Sequence, residues 1–241
     1  MKSYLDIDYT GNGLKSQYLD IYVPQEDEFC VFVYFHGGGI EHGDKSGHNE
    51  FIEYLVNHGV CVVSANYRMY PENSYPDFLH DAASAVAWVF NNIDKYGKNK
   101  GIYVGGSSAG GYISMMLCFD KTYLAAHGIS PLDISGFVHD AGQPTAHFNV
   151  LKYKGTDPRR VIIDDTAPLY HIGTDKEYSK MLFIVSDHDM QNRYEQTMLT
   201  LSTLKHFGHE EKTSLKVMNG KHCAYVKHAV FGEIIFEFIK G

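Results

Sequence analysis

Short, uniformly apolar segments alternate along the chain with longer segments whose apolar residues recur every three or four positions. The short segments predict buried strands, because a strand covered on both faces lacks the alternation of a one-sided sheet. They are residues 29–35, 59–65, 101–104, 134–138 and 181–185, and a later strand is predicted over residues 213–218. The periodic segments predict helices over residues 77–93, 190–207 and 227–239. Strands and helices that alternate in this way predict a doubly wound, mostly parallel α/β sheet.

Two segments of the chain depart from this pattern of strands and helices. The first 23 residues alternate apolar and polar positions around Gly11-Asn12-Gly13, which predicts an antiparallel edge hairpin. Residues 142–180 are rich in proline and glycine and show no period. Because a connection of that length is usually functional in a compact domain, we expect it to form a small lid or pocket wall. No linker or repeat divides the chain, so residues 1–241 are predicted to form one domain.

Composition and charge exclude several classes of partner. The chain of 241 residues carries a formal net charge of −8, which argues against a nucleic acid or an anionic membrane as its main partner. The four cysteines have no paired short spacing, and no spaced ligand set predicts a metal or an organic cofactor. The first residues lack the apolar run of a signal peptide or anchor, so we expect a cytoplasmic protein. A homo-oligomer stays open.

Residues 101–111 carry the clearest chemical signal. An apolar strand leads into Gly106-Ser107-Ser108-Ala109-Gly110, and a helical pattern follows directly. This order matches the nucleophile elbow G-x-S-x-G. Glycines are expected two residues to either side of the central serine, because a side chain there would collide with neighbouring backbone. The spacing therefore predicts Ser108, and not Ser107, as a nucleophile. The phosphate-binding patterns G-x-G-x-x-G and the P-loop are not met.

Three consecutive glycines follow His36 at the end of the strand 29–35. They cost conformational entropy, and they are explained if backbone N–H groups must point at a ligand oxygen. Donors of that kind form an oxyanion hole, which stabilises the negative charge of a tetrahedral intermediate. We expect Gly38 and Gly39 to supply two donors and Ala109 a third. His36 is expected to shape the loop through hydrogen bonds.

A nucleophilic serine needs a base, and the base needs an acid that orients it. After a G-x-S-x-G elbow, the acid and then the base follow the serine along the chain. Asp187 and Asp189 follow the strand 181–185, and His222 follows a later strand. Asp189 is the preferred acid because it lies farther beyond the strand end, and Asp187 is the alternative. His222 is the preferred base, with His228 in the last predicted helix as the weaker choice.

Five segments in this order resemble the α/β-hydrolase fold, and most closely the esterases of the hormone-sensitive-lipase and acetyl-esterase type, including small bacterial carboxylesterases. They are HGGG (36–39), NYRMYPENSYP (66–76), GSSAG (106–110), SDHD (186–189) and GKH (220–222). The resemblance implies a nucleophile, an acid, a base and an oxyanion hole, which are Ser108, Asp189, His222, and Gly38, Gly39 and Ala109. Two departures stand out. Ser107 replaces the Asp of many relatives, and we expect the larger N-terminal cap of the lipase-like members to be lacking, which argues against long-chain lipid substrates.

Together, the motifs and the resemblance predict a serine carboxylesterase that hydrolyses small esters with acetyl to butyryl chains, acetylated carbohydrates among them. A peptidase or acyltransferase on the same residues, or a non-catalytic ligand-binding member of the fold, is the alternative. Three tyrosines, Tyr112, Tyr153 and Tyr170, are candidate pocket walls. A pair of Arg68 with Glu72 is expected to lock the loop after the strand 59–65, and Asp81 is expected to be structural.

Overall fold

An eight-stranded sheet forms the centre of the computed structural model, which describes residues 1–46 and 49–241. Its order is β1-β2-β4-β3-β5-β6-β7-β8. The strands are β1 (Lys2–Asp8), β2 (Tyr18–Val23), β3 (Glu28–Phe35), β4 (Val60–Ala65), β5 (Lys98–Ser107), β6 (Gly136–Asp140), β7 (Lys180–His188) and β8 (Thr213–Lys221). Strands β3 to β8 pair in parallel, whereas β1 pairs with β2, and β2 with β4, in antiparallel orientation. The predicted α/β fold with an N-terminal hairpin is confirmed.

Helices cover both faces of this sheet. They are α1 (Glu50–Asn57), α2 (Asp77–Asn92), α3 (Ala109–Phe119), α4 (Thr122–Ala125), α5 (Phe148–Tyr153), α6 (Arg193–His206) and α7 (Ala229–Lys240). Helices α1 and α7 pack against each other on one face, and α2 and α3 on the other. Strand β3 shows why the strands are uniformly apolar. Val31, Val33 and Phe35 enter one core, while Phe32 and Tyr34 enter the other.

The hairpin turn is held by one carboxylate. Asp8 accepts hydrogen bonds from the backbone N–H groups of Thr10, Gly11 and Gly13. Both glycines have a positive φ, 77° and 79°, which a glycine adopts at little cost. Glycine is therefore favoured on both sides of Asn12 because the turn requires a positive φ at these two positions.

Some boundaries differ from the sequence-based prediction. Strand β5 extends from Lys98 to Ser107 because it continues into the predicted elbow, and β6 begins two residues later than predicted. Helix α1 was not predicted from the sequence. It has only eight residues, too few for a clear helical period, yet Phe51, Ile52, Leu55 and Val56 are all buried.

Residues 142–180 contain α5 and a short 3₁₀ turn, Pro168–His171. Both ends of the segment are buried against the body of the molecule, whereas residues 152–164 are largely exposed. A lid role for this segment, and the single domain, stay predictions.

The predicted partner of Arg68 is wrong. Its guanidinium binds Asp81 instead of Glu72, through Nε at 2.8 Å and Nη2 at 2.7 Å. Asp81 is buried on α2 and also accepts hydrogen bonds from the Arg68 backbone N–H and from Gln17. The carboxylate thus ties the N-terminal segment, the loop after β4 and α2 together, which is the structural role expected of Asp81.

Replacing Asp81 with alanine is expected to lower the free energy of unfolding by about 3 kcal/mol, because it strands a partly buried guanidinium. Asp77→Ala is the matched control. Its carboxylate lies 3.6 Å from Arg68 and is 34% exposed, so the loss should stay near 1 kcal/mol or below. Urea unfolding of both variants measures the difference, and equal losses would contradict the central role of Asp81.

Candidate active site

Ser108 lies at the sharp turn between β5 and α3. Its φ of 56° and ψ of −111° place a non-glycine residue in a strained region of backbone space. The neighbouring strand β6 stabilises the turn, because the Ser108 N–H donates to the carbonyl oxygen of Asp140 at 2.8 Å. The side chain therefore projects from the carboxyl edge of the sheet, where the ends of parallel strands converge.

The two flanking glycines are required by contact with β3. A Cβ atom on Gly106 would lie 2.6 Å from the carbonyl oxygen of Phe35, and one on Gly110 would lie closer still. Real Cβ atoms do not approach backbone so closely. The predicted reason for glycine at these positions is confirmed by the packing.

A chain of hydrogen bonds joins three of the predicted residues. Ser108 Oγ lies 2.9 Å from His222 Nε2, and His222 Nδ1 lies 2.5 Å from Asp189 Oδ1. The Asp189 side chain is fully buried, whereas the imidazole is 21% exposed. Because the carboxylate accepts from Nδ1–H, the Nε2 lone pair is left to face the serine hydroxyl. This arrangement can take a proton from Ser108.

The acid is ionised in this setting. Burial raises the pKa of the Asp189 carboxyl, but the hydrogen bond from His222 and those from the backbone N–H groups of Met190 and Ser186 outweigh burial and hold the pKa below its usual value. A buried negative charge of this kind can stabilise the imidazolium that forms when His222 accepts a proton.

The alternative acid and base lie elsewhere. Asp187 accepts from the Gly220 N–H and contacts His188, whereas the His222 Nδ1 atom is bonded to Asp189. His228 is 62% exposed and lies 3.4 Å from Glu50. The structure therefore brings together Asp189 and His222 and leaves both alternatives apart.

The glycine loop lies next to Ser108. A Cβ atom on Gly37 would come within 3.2 Å of Ser108 Cβ, and Gly38 and Gly39 line the same cavity as the serine. Gly38 and Gly39 have φ values of 115° and 67°. Ala109 is the first residue of α3, where a backbone N–H has no acceptor within the helix. The three predicted donors thus belong to segments that flank the serine.

His36 shapes this loop. Its Nδ1 lies 2.7 Å from the Gly37 carbonyl oxygen, and its ring stacks on Tyr67 with 4.5 Å between the centroids. Burial lowers the pKa of His36, which keeps the imidazole neutral. A neutral, buried ring that contacts the loop backbone has a structural role, as expected for His36.

A cavity of about 720 Å³ opens over the serine. Its apolar walls come from Tyr34, Phe148, Met190 and Val226. The three tyrosines named from the sequence do not line it. Tyr112 is buried and donates to the Thr166 carbonyl, Tyr153 stacks on Tyr70, and Tyr170 is exposed. Of residues 142–180, only Phe148 and Asn149 reach this cavity.

Sequence reasoning missed two residues near the serine, Asp140 and Cys223. Asp140 is fully buried at the end of β6, accepts a hydrogen bond from Tyr225 at 2.5 Å, and has its pKa raised to about 7 by burial. Cys223 Sγ lies 3.6 Å from His222 Nε2. The position of Asp140 at the carboxyl end of a parallel strand was the available signal, since those ends meet at one edge.

Within residues 1–46 and 49–241, no group of three or more His, Cys, Asp and Glu side chains is arranged to hold a metal ion. The same part of the chain contains no helix that is both long and apolar enough to cross a bilayer.

Fold and site together define a protein of the α/β-hydrolase class with a serine, a histidine and an aspartate in hydrogen-bond contact. The BD-FAE family model matches residues 19–150, more than half of the chain. The chain belongs to this family.

Curated relatives and solved structures agree with this class. The chain is 38% identical to the esterase LipI of Mycobacterium tuberculosis over 135 residues, which cover 55% of this chain and 37% of that protein. It is 36% identical to the carboxylesterase NlhH of the same organism over 149 residues, which cover 60% and 41%. The chain thus matches less than half the length of these relatives.

Structural similarity extends over the whole chain. A solved structure described as a truncated form of a carbohydrate esterase from gut microbiota superposes with a TM-score of 0.83 at 19% identity, and covers 100% of this chain and 95% of its own. Esterase B from Lactobacillus rhamnosis gives a TM-score of 0.80 at 16% identity, with coverage of 99% and 84%. At such identities the similarity shows the fold.

A serine-directed fluorophosphonate is expected to label Ser108, because His222 lies within 2.9 Å and can take its proton. Ser108→Ala should abolish labelling, and Ser107→Ala, the matched control, should keep it, since Ser107 is only 2% exposed. Peptide mass spectrometry locates the adduct. An adduct on Ser107 would overturn this assignment.

Proposed function

We propose that this protein is a carboxylesterase that hydrolyses small esters with short acyl chains. The observation that carries the proposal is the hydrogen-bonded chain from Asp189 through His222 to Ser108, which opens into a cavity beside the glycine loop. The names of the relatives, an esterase and a carboxylesterase, support the same reaction class.

In the first half of the reaction, His222 accepts the proton of Ser108 as the serine oxygen attacks the ester carbonyl. The carbonyl oxygen gains negative charge, and the N–H groups of Gly38, Gly39 and Ala109 stabilise that charge. The tetrahedral intermediate then collapses, and the alcohol leaves with the proton from His222.

The second half repeats these steps with water. His222 takes a proton from a water molecule, which attacks the acyl group on Ser108 and forms a second tetrahedral intermediate. The acid product leaves and Ser108 regains its proton. Asp189 keeps the imidazole oriented throughout, and its charge stabilises the imidazolium in each half. The scheme needs no metal or organic cofactor.

The lining of the cavity supports a small ester that carries polar groups. Beside its four large apolar side chains the cavity is also lined by charged or polar residues, namely Glu41, His42, Asp44, Lys45, Ser46, Asn49 and Lys227. Polar groups of this kind could receive hydrogen bonds from, or donate them to, a hydroxylated alcohol. The carbohydrate esterase among the similar structures makes acetylated carbohydrates a sensible first panel.

A series of p-nitrophenyl esters from acetyl to decanoyl tests the proposal. We expect kcat/KM to be highest from acetyl to butyryl and to fall steeply by octanoyl, because each further CH₂ left in water forgoes up to about 0.8 kcal/mol of burial. Ser108→Ala is the control and should lose on the order of 10⁶ in kcat.

Two results of this series would count against the proposal. An optimum at decanoyl or beyond would contradict the short-acyl specificity. Absence of turnover with every ester would favour the non-catalytic alternative, and acyl transfer to an added alcohol in preference to water would favour an acyltransferase.

The acid is tested by a matched pair of variants. Asp189→Asn should lower kcat by roughly 10⁴, because the amide no longer holds the imidazole in its working tautomer. Asp187→Asn, two residues away and hydrogen-bonded to the Gly220 N–H, should keep most of the activity. The hydrolysis rate of p-nitrophenyl acetate measures both, and the reverse order would assign the role to Asp187.

A further inference from the structure

A second cavity, of about 330 Å³, lies beside the one over Ser108. Phe148 and Met190 line both cavities and form the boundary between them. Met190 directly follows Asp189, so the second cavity begins within a residue of the catalytic acid proposed above. The remaining lining residues are Gln143, Pro158, Arg159, Arg160, Val161, Gln191, Asn192, Arg193 and Gln196.

Arginine is concentrated at this second cavity. The whole chain has four arginines and a net charge of −8, and lysine supplies most of its positive charge. Three of the four, Arg159, Arg160 and Arg193, line this one cavity. The guanidinium group differs from an ammonium because its planar fork of donors matches a carboxylate in two-point contact. Their concentration here points to an anionic ligand.

Two of these arginines, Arg159 and Arg160, lie on the solvent-exposed side of the cavity. Asp157 accepts two-point hydrogen bonds from Arg159, through Nε at 2.9 Å and Nη2 at 2.7 Å. Arg160 is exposed, and no carboxylate of the described residues lies within salt-bridge distance of its guanidinium. Asp157 therefore pairs with Arg159 alone, and the positive charge of Arg160 remains for a ligand.

Arg193 supplies charge from the buried side. It is only 4% exposed, and its Nη1 donates to the Ala141 carbonyl oxygen at 2.6 Å. Its Nε has no hydrogen-bond partner among the described residues. Burial lowers the pKa of Arg193 to about 10, so the group stays protonated at neutral pH. The negative charge of Asp189 acts on the same guanidinium and partly offsets it, so Arg193 adds to the attraction for an anion while Arg160 supplies the uncompensated charge.

We propose that the second cavity is a subsite for a carboxylate carried by the ester substrate, recognised by Arg159 and Arg160 above the buried Arg193. The inference rests on the proposed esterase function and names its substrate class, an ester with a carboxylate remote from the bond that is cleaved. Such a substrate passes over Met190 and Phe148 from the serine to the arginines. Pro158 and Val161 supply apolar contacts for the part in between.

Matched neutral and charged esters test the subsite. One arm uses acetate esters of ω-hydroxy acids with two to six methylene groups, so the carboxylate is on the alcohol side. The other arm uses monoethyl esters of dicarboxylic acids, so the carboxylate is on the acyl side. Each acid is paired with its carboxamide, and acid release is followed by pH-stat titration. We expect kcat/KM to favour the carboxylate about fivefold or more in one arm, at one range of tether lengths.

The variants separate the subsite from general charge. Arg160→Gln and the double variant Arg159→Gln/Arg160→Gln should move the carboxylate-to-carboxamide ratio stepwise towards one, and ~1 M salt should do the same in the unmodified protein. Lys98→Gln is the control. It removes an exposed cation at the amino end of β5, whereas Ser108 follows the carboxyl end of the same strand. This variant should leave the ratio unchanged.

The failures are distinguishable. A ratio near one for every tether in the unmodified protein, or a ratio that the double variant leaves intact, would overturn the subsite while p-nitrophenyl acetate is still hydrolysed. Absence of turnover with all esters, p-nitrophenyl acetate included, would contradict the proposed function and the subsite with it.

Discussion

The close approach of the β5–α3 turn to the end of β3 is the constraint on which the candidate site depends. The Phe35 carbonyl occupies the space that a side chain on Gly106 or Gly110 would need. Strands β3 and β5 are parallel neighbours with Phe35 opposite Gly106, so the glycine loop and Ser108 leave the sheet side by side. Without that contact, the serine and the backbone donors proposed for the oxyanion would not face one substrate.

The same edge of the sheet receives the other components, although they come from distant parts of the chain. Asp140 ends β6 and accepts the Ser108 N–H through its backbone, Asp189 follows β7, and His222 follows β8. Parallel strands bring their carboxyl ends to one edge, so four consecutive strands of the sheet each deliver a residue to it. A fold of this type assembles such a site from topology, and the individual side chains supply the chemistry.

Sequence reasoning was strong where the local backbone decides the outcome, and weak where partners are chosen across the fold. The tight turn at Ser108 requires glycine two residues to either side, and the five-residue motif G-x-S-x-G shows this requirement in the sequence. Asp189 was preferred to Asp187 because it lies farther beyond the predicted strand end at residue 185. In the structure β7 runs through His188, and Asp189, the next residue, contacts His222. The partner of Arg68 was wrong because sequence proximity favoured Glu72, whereas the fold places Asp81 beside it.

The same distinction explains why the pocket walls were not foreseen. Abundant tyrosine says nothing about which ring faces a cavity, and Tyr112 instead bonds the Thr166 carbonyl inside the core. From the segment 142–180 the cavity instead receives Phe148 and Asn149, neither of which was predicted. Both belong to α5, a helix of six residues in a segment whose sequence has no period.

Helix α5 also supplies the side-chain contacts that the glycine loop lacks. A run of glycines gains little from side-chain packing, so its conformation must be fixed by contacts from outside the loop. Asn149 donates to the Gly39 carbonyl oxygen at 2.6 Å, and Lys152 and Tyr153 both contact the carboxylate of Glu41. The segment 142–180 therefore borders the cavity and holds the loop that would stabilise the oxyanion. Backbone donors stabilise a developing charge best when they are fixed beforehand, and Asn149 would fix the proposed donors from a part of the chain more than 100 residues away.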